Sequence, residues 1–261
     1  MKNYLVSYLK NAPFSLAFVR AVECRLLSSY KMRSPILDIG SGDGLFAKIF
    51  FKRTQKVYGV DMDKKEVETA RKQGIYKQVK IGDALDMPFK DNFFQTVFTN
   101  SVLEHTYSLP LALREISRVL KNEGKVYVTI PSDRFTKELF FTKLFRLLHL
   151  KMLADLYEEF FIRLFKVNKK NLLDVKSWKK EFKKNNLTII EYKYYNVHYF
   201  WHEIFLPLAL HGMIWKKITG RWVVFPKMRR VYSPLIAKLF KKSYLKNSVF
   251  GGSLLMVAEK S

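Results

Sequence analysis

The feature that most constrains this chain is a glycine-rich turn between a strand pattern and a helical pattern. The segment Pro35-Ile-Leu-Asp-Ile-Gly-Ser-Gly-Asp-Gly44 runs directly into Leu45-Phe-Ala-Lys-Ile-Phe50. A buried strand that enters a tight turn and then a helix brings backbone close to a ligand at the helix N-terminus. The motif therefore predicts an α/β fold with a ligand site at this turn.

The spacing of the glycines separates this turn from the common dinucleotide-binding turn. Gly40, Gly42 and Gly44 form the pattern G-x-G-x-G, whereas the dinucleotide fingerprint is G-x-G-x-x-G. Asp38 lies at the strand end just before the loop, where a carboxylate would repel a phosphate. A ligand with a cationic or amine-bearing end suits that position, so the motif favours S-adenosylmethionine (SAM) over NAD.

Strand and helix patterns alternate through the first half of the chain and return near its end. We predict strands at 36–39, 57–60, 78–81, 96–99, 125–130, 188–197 and 254–258. We predict helices within 1–33 and at 44–51, 64–72, 109–120 and 174–184. The alternation with short connections predicts an α/β fold built on a Rossmann-like, doubly wound, mostly parallel sheet with helices on both faces. We expect the last strand to be antiparallel.

Polar residues follow the ends of three predicted strands. Asp61 comes after the second strand, Asp83 after the third and Asn100 after the fourth. Ligands of doubly wound sheets bind outside the carboxyl ends of the strands. We therefore expect these three side chains to face the same ligand as the glycine loop.

Length and cysteine content limit the class of protein. A chain of 261 residues suits one α/β domain with insertions or a small appendage. The single cysteine, Cys24, excludes an internal disulfide and a zinc site built on cysteines. Residues 1–11 have no long apolar core and no small-residue cleavage site, so we expect no signal peptide and a cytoplasmic location.

The positive charge is concentrated in one later segment. The formal net charge is +24, from 47 basic and 23 acidic residues. Residues 134–250 hold 25 Lys and Arg against 8 Asp and Glu, so most of the excess lies outside the part that carries the motifs. A local basic excess attracts nucleic acid or an anionic membrane surface.

Two segments interrupt the minimal fold and have an aromatic, basic composition. We divide the chain into an N-terminal helical cover (1–33), a SAM-binding core (34–133), a helical insertion acting as a lid (134–173), a core helix and strand (174–198), a basic aromatic insertion (199–250) and a last core strand (251–261). The longest apolar run without a charge there is 204–215, with Pro207 inside. It is shorter than the ~20 residues that a membrane span needs.

The insertions leave three hypotheses open. They form a helical lid with solvated lysines, or interfacial helices that rest on the anionic inner face of a membrane. RNA is the third partner class, because aromatic and basic residues together also bind bases and phosphates. Against RNA, the chain has no recognised RNA-binding appendage.

Four blocks of sequence resemble the class I (Rossmann-like) SAM-dependent methyltransferases. They are LDIGSGDG (37–44), VYGVDMD (57–63), GDALDMPFKDNFFQTVFTNSVLEH (82–105) and REISRVLKNEGKVYVTIPS (114–132). The blocks are most similar to the small-molecule branch that includes quinone-biosynthesis enzymes, the methyltransferase type 11 group. The resemblance implies SAM as cofactor and a small or lipid-linked methyl acceptor. The alternatives are an RNA methyltransferase and a non-catalytic methyltransferase-like scaffold.

The resemblance also implies roles for individual residues in SAM binding. It places the backbone of Gly40, Ser41 and Gly42 against the amino-acid end of SAM, counts Gly44 among the cofactor-binding residues of the same loop, and places Asp38 near the ammonium group of SAM. Asp61 would accept hydrogen bonds from the ribose hydroxyls, and Met62 would pack on the adenine. Asp83 and the Ala84 N–H would bond the adenine edge, and Asn100 would line the methionine part. The alternative roles are a plain turn for the glycines and a core position for Met62. Asp61 and Asp83 would then be solvated loop carboxylates or helix caps, and Asp38 would bond backbone amides.

Glu104 and His105 are the candidate catalytic residues. They follow the fourth strand, where the family often places groups that face the acceptor, and a histidine has a pKa suited to a general base. A purely structural pair is the alternative, because methyl transfer from a sulfonium needs alignment above all. We expect no metal site, since His198 and His202 have only Glu203 nearby as a third ligand.

Overall fold

Buried apolar residues build the centre of a seven-stranded sheet. The structure is a computed structural model that describes residues 3–196, 199–223, 225–246 and 251–261. All four residues of the first strand are buried, as expected for a strand covered on both faces. The strands are β1 (Ile36–Ile39), β2 (Val57–Asp61), β3 (Tyr76–Ile81), β4 (Phe94–Asn100), β5 (Leu120–Pro131), β6 (Leu187–Tyr195) and β7 (Ser253–Lys260).

The strand order confirms the predicted fold class. The order is β3-β2-β1-β4-β5-β7-β6. Strands β1 to β5 are parallel to one another, and β7 is antiparallel to both β5 and β6. Five strands, β2, β3, β4, β5 and β7, are longer than predicted, and β3 and β5 illustrate why. β5 begins at Leu120 rather than Lys125, because Leu120 already pairs with Phe94 before the register shifts. β3 begins at Tyr76 rather than Gln78, because Tyr76 pairs with Val57.

Helices cover both faces of the sheet. They are α1 (Tyr4–Leu9), α2 (Phe14–Leu27), α3 (Leu45–Phe50), α4 (Lys64–Arg71), α5 (Leu109–Val119), α6 (Phe140–Leu147), α7 (Lys151–Leu164), α8 (Val175–Lys183), α9 (Tyr199–Ile204), α10 (Leu206–Thr219), α11 (Pro226–Leu239) and α12 (Lys241–Leu245). Alternate residues of β1 enter different cores. Ile36 packs with Phe18 of α2, whereas Leu37 packs with Leu113 of α5 and Trp178 of α8.

The N-terminal helices and the second insertion pack against each other. Helix α2 contacts α9, α10 and α12, and α1 contacts α11. The ring of Phe14 in α2 lies 4.4 Å from Phe205 and 4.7 Å from Phe240. The predicted cover and the basic aromatic insertion thus form one helical layer on the sheet face that carries Ile36. No helix in the described part of the chain is long and apolar enough to cross a bilayer.

Candidate cofactor cleft and acceptor cavity

The glycine loop follows β1 with a backbone that only glycine adopts easily. Gly40, Gly42 and Gly44 have φ angles of +69°, +50° and +75°, in the left-handed region that a Cβ disfavours. At Gly40 there is also no room, because an added Cβ would lie 2.3 Å from Cγ2 of Val102. The loop is tied to β2, since Val60 O accepts hydrogen bonds from Gly40 N at 2.8 Å and Ser41 N at 3.1 Å.

Asp61 joins the end of β2 to the glycine loop. Its Oδ2 accepts a hydrogen bond from Gly42 N at 2.8 Å, and its Oδ1 accepts one from Asp63 N at 2.9 Å. A carboxylate has about four acceptor sites, so two remain for a ligand. The carboxylate is therefore held in a fixed orientation at the carboxyl end of the sheet, beside the loop.

A cleft of about 360 Å³ opens at these strand ends. Such a volume is within the usual range of small-molecule sites. Its wall includes six of the residues predicted to contact SAM, namely Gly40, Asp61, Met62, Asp83, Ala84 and Asn100. The side chain of Met62 is exposed, and Oδ1 of Asp83 accepts a hydrogen bond from Leu85 N at 3.0 Å. The fold thus brings residues from four strand ends to one cleft.

The other four predicted cofactor residues are not among those that line this cleft. Ser41, Gly42 and Gly44 belong to the loop itself, and Asp38 is buried at the end of β1. Oδ2 of Asp38 accepts a hydrogen bond from the hydroxyl of Tyr76 at 2.7 Å. Burial raises the pKa of Asp38 to about 7, although the Tyr76 hydrogen bond lowers it. Asp38 therefore links the end of β1, just before the glycine loop, to Tyr76 of β3.

A second cavity, of about 300 Å³, lies next to the cleft. Its wall is mostly apolar and comes from α2, α9, α10, the strand end of β5 and the segment after α7. Arg20, Ser101 and His105 line both the cavity and the cleft. These three residues mark the junction at which two bound molecules would meet.

A polar cluster fixes Arg20 at this junction. Its Nη1 donates to Oε2 of Glu23 at 2.9 Å, to Oγ of Ser101 at 3.1 Å and to Oδ1 of Asn100. Asn100 Nδ2 in turn donates to Glu23 Oε2 at 2.8 Å. Arg20 and Glu23 were not predicted as site residues, because Asn100, with which both form hydrogen bonds, lies about 80 residues further along the chain. The available signal was the presence of charged residues, among them Arg20 and Glu23, within a mostly apolar helix.

The ring of His105 is oriented by a backbone carbonyl. Nδ1 lies 3.1 Å from Lys166 O, and a carbonyl only accepts, so Nδ1 carries the proton and donates it. Burial lowers the pKa of His105, and the Arg20 charge lowers it further. The imidazole is therefore neutral near pH 7, with an unprotonated Nε2 that is able to accept a proton.

Glu104 is a buried carboxyl group beside the cavity. Its side chain is 2% exposed, and Oε1 lies 3.8 Å from Nε2 of His105. Among the described residues, Oε2 has no hydrogen-bond partner. Burial raises the pKa of Glu104 to about 8, while its own backbone N–H and the Arg20 charge lower it. The group is therefore mostly protonated at neutral pH and is able to donate a hydrogen bond into the cavity.

The raised pKa of Glu104 predicts a pH dependence of stability. Between its ordinary value of 4.5 and about 8, the folded chain holds a proton that the unfolded chain has lost. The free energy of unfolding should therefore fall as pH rises through this window. Relative to Glu104→Gln, which stays neutral, wild type should lose up to about 1.4 kcal/mol per pH unit there. Urea unfolding of both proteins from pH 5 to 9 measures this, and parallel profiles would contradict it.

The histidines of the second insertion do not form a metal site in the described chain. Nδ1 of His202 lies 2.6 Å from Oγ of Ser15, and burial lowers the pKa of His202 to about 4. Glu203 accepts hydrogen bonds from Phe140 N and Phe141 N. His198 lies outside the described residues. Among the residues that are described, no group of three or more His, Cys, Asp or Glu is placed to hold a metal ion.

The second insertion also reaches the glycine loop. Oδ2 of Asp43 accepts a hydrogen bond from Nε1 of Trp222 at 2.6 Å and pairs with Nζ of Lys216 at 3.0 Å. Nζ of Lys216 also bonds both carboxylate oxygens of Glu66 at 2.8 and 2.9 Å. These contacts therefore attach the second insertion to the glycine loop beside the candidate cofactor cleft. No local sequence pattern predicted them.

Comparison with known proteins identifies the family of this chain. A family model for a methyltransferase domain matches residues 37–128. The methyltransferase homologue YrhH of Bacillus subtilis is 32% identical over 125 residues, which cover 46% of this chain and 69% of that protein. The ubiquinone biosynthesis O-methyltransferase of Pelagibacter ubique is 26% identical over 121 residues, covering 42% of this chain and 50% of that enzyme.

A solved structure extends the likeness in fold to most of the chain. Phosphoethanolamine N-methyltransferase 2 of Haemonchus contortus, in complex with S-adenosyl-L-methionine, superposes with a TM-score of 0.56 at 19% identity. The match covers 95% of this chain and 53% of that one, so the chain spans about half the length of this protein, as it does of the ubiquinone enzyme. Together with the strand-end cleft, the family match shows that this chain belongs to the class I SAM-dependent methyltransferases and that SAM is its cofactor.

Proposed function

We propose that the chain transfers a methyl group from SAM to an amphiphilic acceptor, either a small molecule or a lipid-linked one. The observation that carries this proposal is the junction of the two compartments at Arg20, Ser101 and His105. SAM supplies an electrophilic methyl group on its sulfonium. Residues of the junction align an acceptor atom with that methyl group and exclude water, and alignment is the main requirement of such a transfer.

The residues of the cleft are suited to hold SAM. We propose that the fixed carboxylate of Asp61 accepts hydrogen bonds from the ribose hydroxyls, and that Asp83 and the N–H of Ala84 bond the adenine edge. The exposed side chain of Met62 would then be covered by the adenine ring. Asn100 faces the methionine part, while Asp38, Ser41, Gly42 and Gly44 shape the loop. Glycine at position 40 lets Val102 pack closely against the loop backbone at the wall of the cleft.

The character of the cavity supports an acceptor with two unlike ends. Side chains such as Leu16, Val19 and Met213 offer an apolar surface, which favours a hydrocarbon or ring system. Arg20 and Glu104 offer polar groups at the end nearest the cleft. An acceptor with a polar reacting group and an apolar remainder satisfies both ends. We further propose that the reaction takes place at the cytoplasmic face of an anionic membrane, as the basic charge of the insertions favours.

His105 is the proposed general base for an acceptor that must lose a proton. Its neutral ring presents Nε2 at the junction, while Nδ1–H donates to Lys166 O. His105→Gln should lower kcat by about 10²-fold or more and leave the dissociation constant of SAM nearly unchanged. Single-turnover assays with labelled SAM measure kcat, and calorimetry measures SAM binding. An unchanged kcat would leave the histidine a structural role only.

Filling the cavity tests the proposed acceptor site directly. Val19 lies on α2 and lines the cavity but not the cleft. Val19→Phe should block the acceptor, lowering kcat/KM for methyl transfer to an amphiphile by about 10²-fold, because one large side chain removes space that the acceptor needs. SAM binding, measured by calorimetry, should stay within a few-fold of wild type. Full methyl transfer by this variant would place the acceptor elsewhere.

A further inference from the structure

Helix α11 carries an apolar stripe on its outer face. Met228, Val231, Leu235 and Leu239 follow helical spacing and are 60%, 81%, 61% and 72% exposed. Nothing in the described part of the chain covers them. Most surface helices present polar residues outward, so four large aliphatic side chains in one exposed row mark a surface for a partner.

The opposite face of α11 fixes the orientation of this stripe. Nη1 of Arg229 donates to Leu9 O at 3.1 Å and to Ala12 O at 2.6 Å. Ser233 and Ala237 are buried, and Ala237 belongs to the core shared with α1 and α2. The helix is therefore anchored through one face, and the apolar stripe points away from the body of the protein.

The charge around the stripe is of one sign. From residue 204 to residue 258 the chain has ten Lys and Arg and no Asp or Glu. On α11 the cations Lys227, Arg230 and Lys238 are exposed, and helical spacing places Lys227 and Lys238 beside the apolar stripe. An apolar row beside cations is the pattern of a helix that lies in a bilayer interface and attracts anionic headgroups.

We propose that α11 is a docking helix for an anionic lipid bilayer, with its apolar stripe at the boundary between headgroups and acyl chains. This proposal names the surface through which the protein would bind the membrane. It rests on the proposed function only for the route by which the acceptor enters the cavity. Helix α10, which precedes α11 in the chain, lines the cavity through Leu206, Ala209 and Met213. The side chain of Met213 is half exposed. A lipid-linked acceptor would enter past this side chain from the membrane.

The residues of the α11 surface favour a bilayer over nucleic acid, and they favour α11 over the exposed apolar residues at α6 and α7. The four aliphatic side chains of the stripe have no rings on which nucleic-acid bases stack. The loop and helix at α6 and α7 also expose apolar residues, among them Leu148, Met152 and Leu156. Acidic residues are interleaved there, whereas α11 has none. Anionic lipid therefore favours α11.

Vesicle sedimentation of the full chain tests the proposal. Wild type should bind vesicles of phosphatidylcholine with phosphatidylglycerol, and bind phosphatidylcholine alone much more weakly. The triple variant Lys227→Glu/Arg230→Glu/Lys238→Glu should lose on the order of 100-fold in partition coefficient. The variant Met228→Ser/Val231→Ser/Leu235→Ser should lose about tenfold or more.

Two matched variants serve as controls. Lys176→Glu/Lys180→Glu/Lys183→Glu makes the same charge change on α8, which packs in the core on the other sheet face. Leu148→Ser/Met152→Ser/Leu156→Ser removes the same number of exposed apolar side chains at α6 and α7. Both should keep most of the vesicle binding. Equal binding to the two kinds of vesicle, unchanged binding by the α11 variants, or an equal loss in either control would overturn the proposal.

The result is separable from the proposed function. The α11 variants change residues outside the cleft and the cavity, so they should bind SAM as wild type does and methylate an acceptor dissolved in detergent. Retained SAM binding also shows that these variants are folded. If the protein does not bind vesicles but methylates a dissolved amphiphile, the result contradicts only the proposed docking helix. A protein that binds membranes but methylates nothing would contradict the proposed function alone.

Discussion

Asp61→Ala is expected to remove most SAM binding. The substitution deletes the carboxylate that lies on the cleft wall and holds Gly42 N at 2.8 Å. Two hydrogen bonds to a charged group contribute about 3–5 kcal/mol, so the dissociation constant should rise by more than about 100-fold. Titration calorimetry with purified wild type and variant measures the change. Binding within tenfold of wild type would mean that the cofactor site is assigned wrongly.

Asp63→Ala is the matched control for this experiment. Asp63 lies two residues further on and has the same charge, but its Oδ1 caps α4 by accepting from Lys65 N and Glu66 N. Loss of the cap should cost about 1 kcal/mol of stability and leave SAM affinity within a few-fold. An equal loss of affinity in both variants would show that the net charge, rather than the hydrogen bonds of Asp61, determines binding.

Gly40→Ala is expected to have the second large effect. A Cβ at this position meets Cγ2 of Val102 at 2.3 Å, and φ is +69°. The left-handed backbone costs about 1–2 kcal/mol in an alanine, and the overlap adds about 1–3 kcal/mol. The free energy of unfolding should therefore fall by about 2–5 kcal/mol, with weaker SAM binding because the loop must shift. Urea unfolding and calorimetry measure the two effects.

Two further substitutions separate backbone strain from steric overlap. Gly74 has φ of +67°, but an added Cβ there meets nothing within 4 Å. Gly74→Ala should therefore show the backbone cost alone. Adding Val102→Ala to Gly40→Ala removes the overlapping methyl group and should recover the steric part of the loss. A double variant no more stable than Gly40→Ala would contradict the proposed cause.

The sequence was sufficient for the sheet and for the ligand-facing ends of its strands. A strand is recognised locally, from alternating polar and apolar residues or from an apolar run of about four to six residues. Parallel strands then place their carboxyl ends at the same edge of the sheet. That is why Gly40, Asp61, Asp83 and Asn100 were predicted to lie together and do lie on one cleft. The family and the cofactor followed from the same blocks.

Contacts across the fold were beyond the sequence. Arg20 and Glu23 meet Asn100 only because α2 packs over the end of β4. The hydroxyl of Tyr76 reaches Asp38 only because β3 starts two residues earlier than its polar residues indicated. Such contacts depend on how layers pack, and packing leaves no periodic mark in the chain.

The second insertion shows the limit most clearly. Composition indicated a basic, aromatic cover but left a solvated lid and an interfacial helix equally open. The direction in which Met228 and Val231 point depends on which face of α11 binds α1. Arg229, Ser233 and Ala237 lie on the face that packs against the body of the protein. This orientation of the helix is seen only in the three-dimensional structure.

Transfer of a labelled methyl group from SAM is the most direct test of our proposal that this chain methylates an amphiphile. Purified protein is incubated with SAM labelled in the methyl group and with a cell extract, which is then separated into RNA and lipid pools. The account predicts protein-dependent label in the lipid pool, lost with Asp61→Ala and strongly reduced with Val19→Phe. Label confined to the RNA pool, or SAM binding without transfer to either pool, would contradict it.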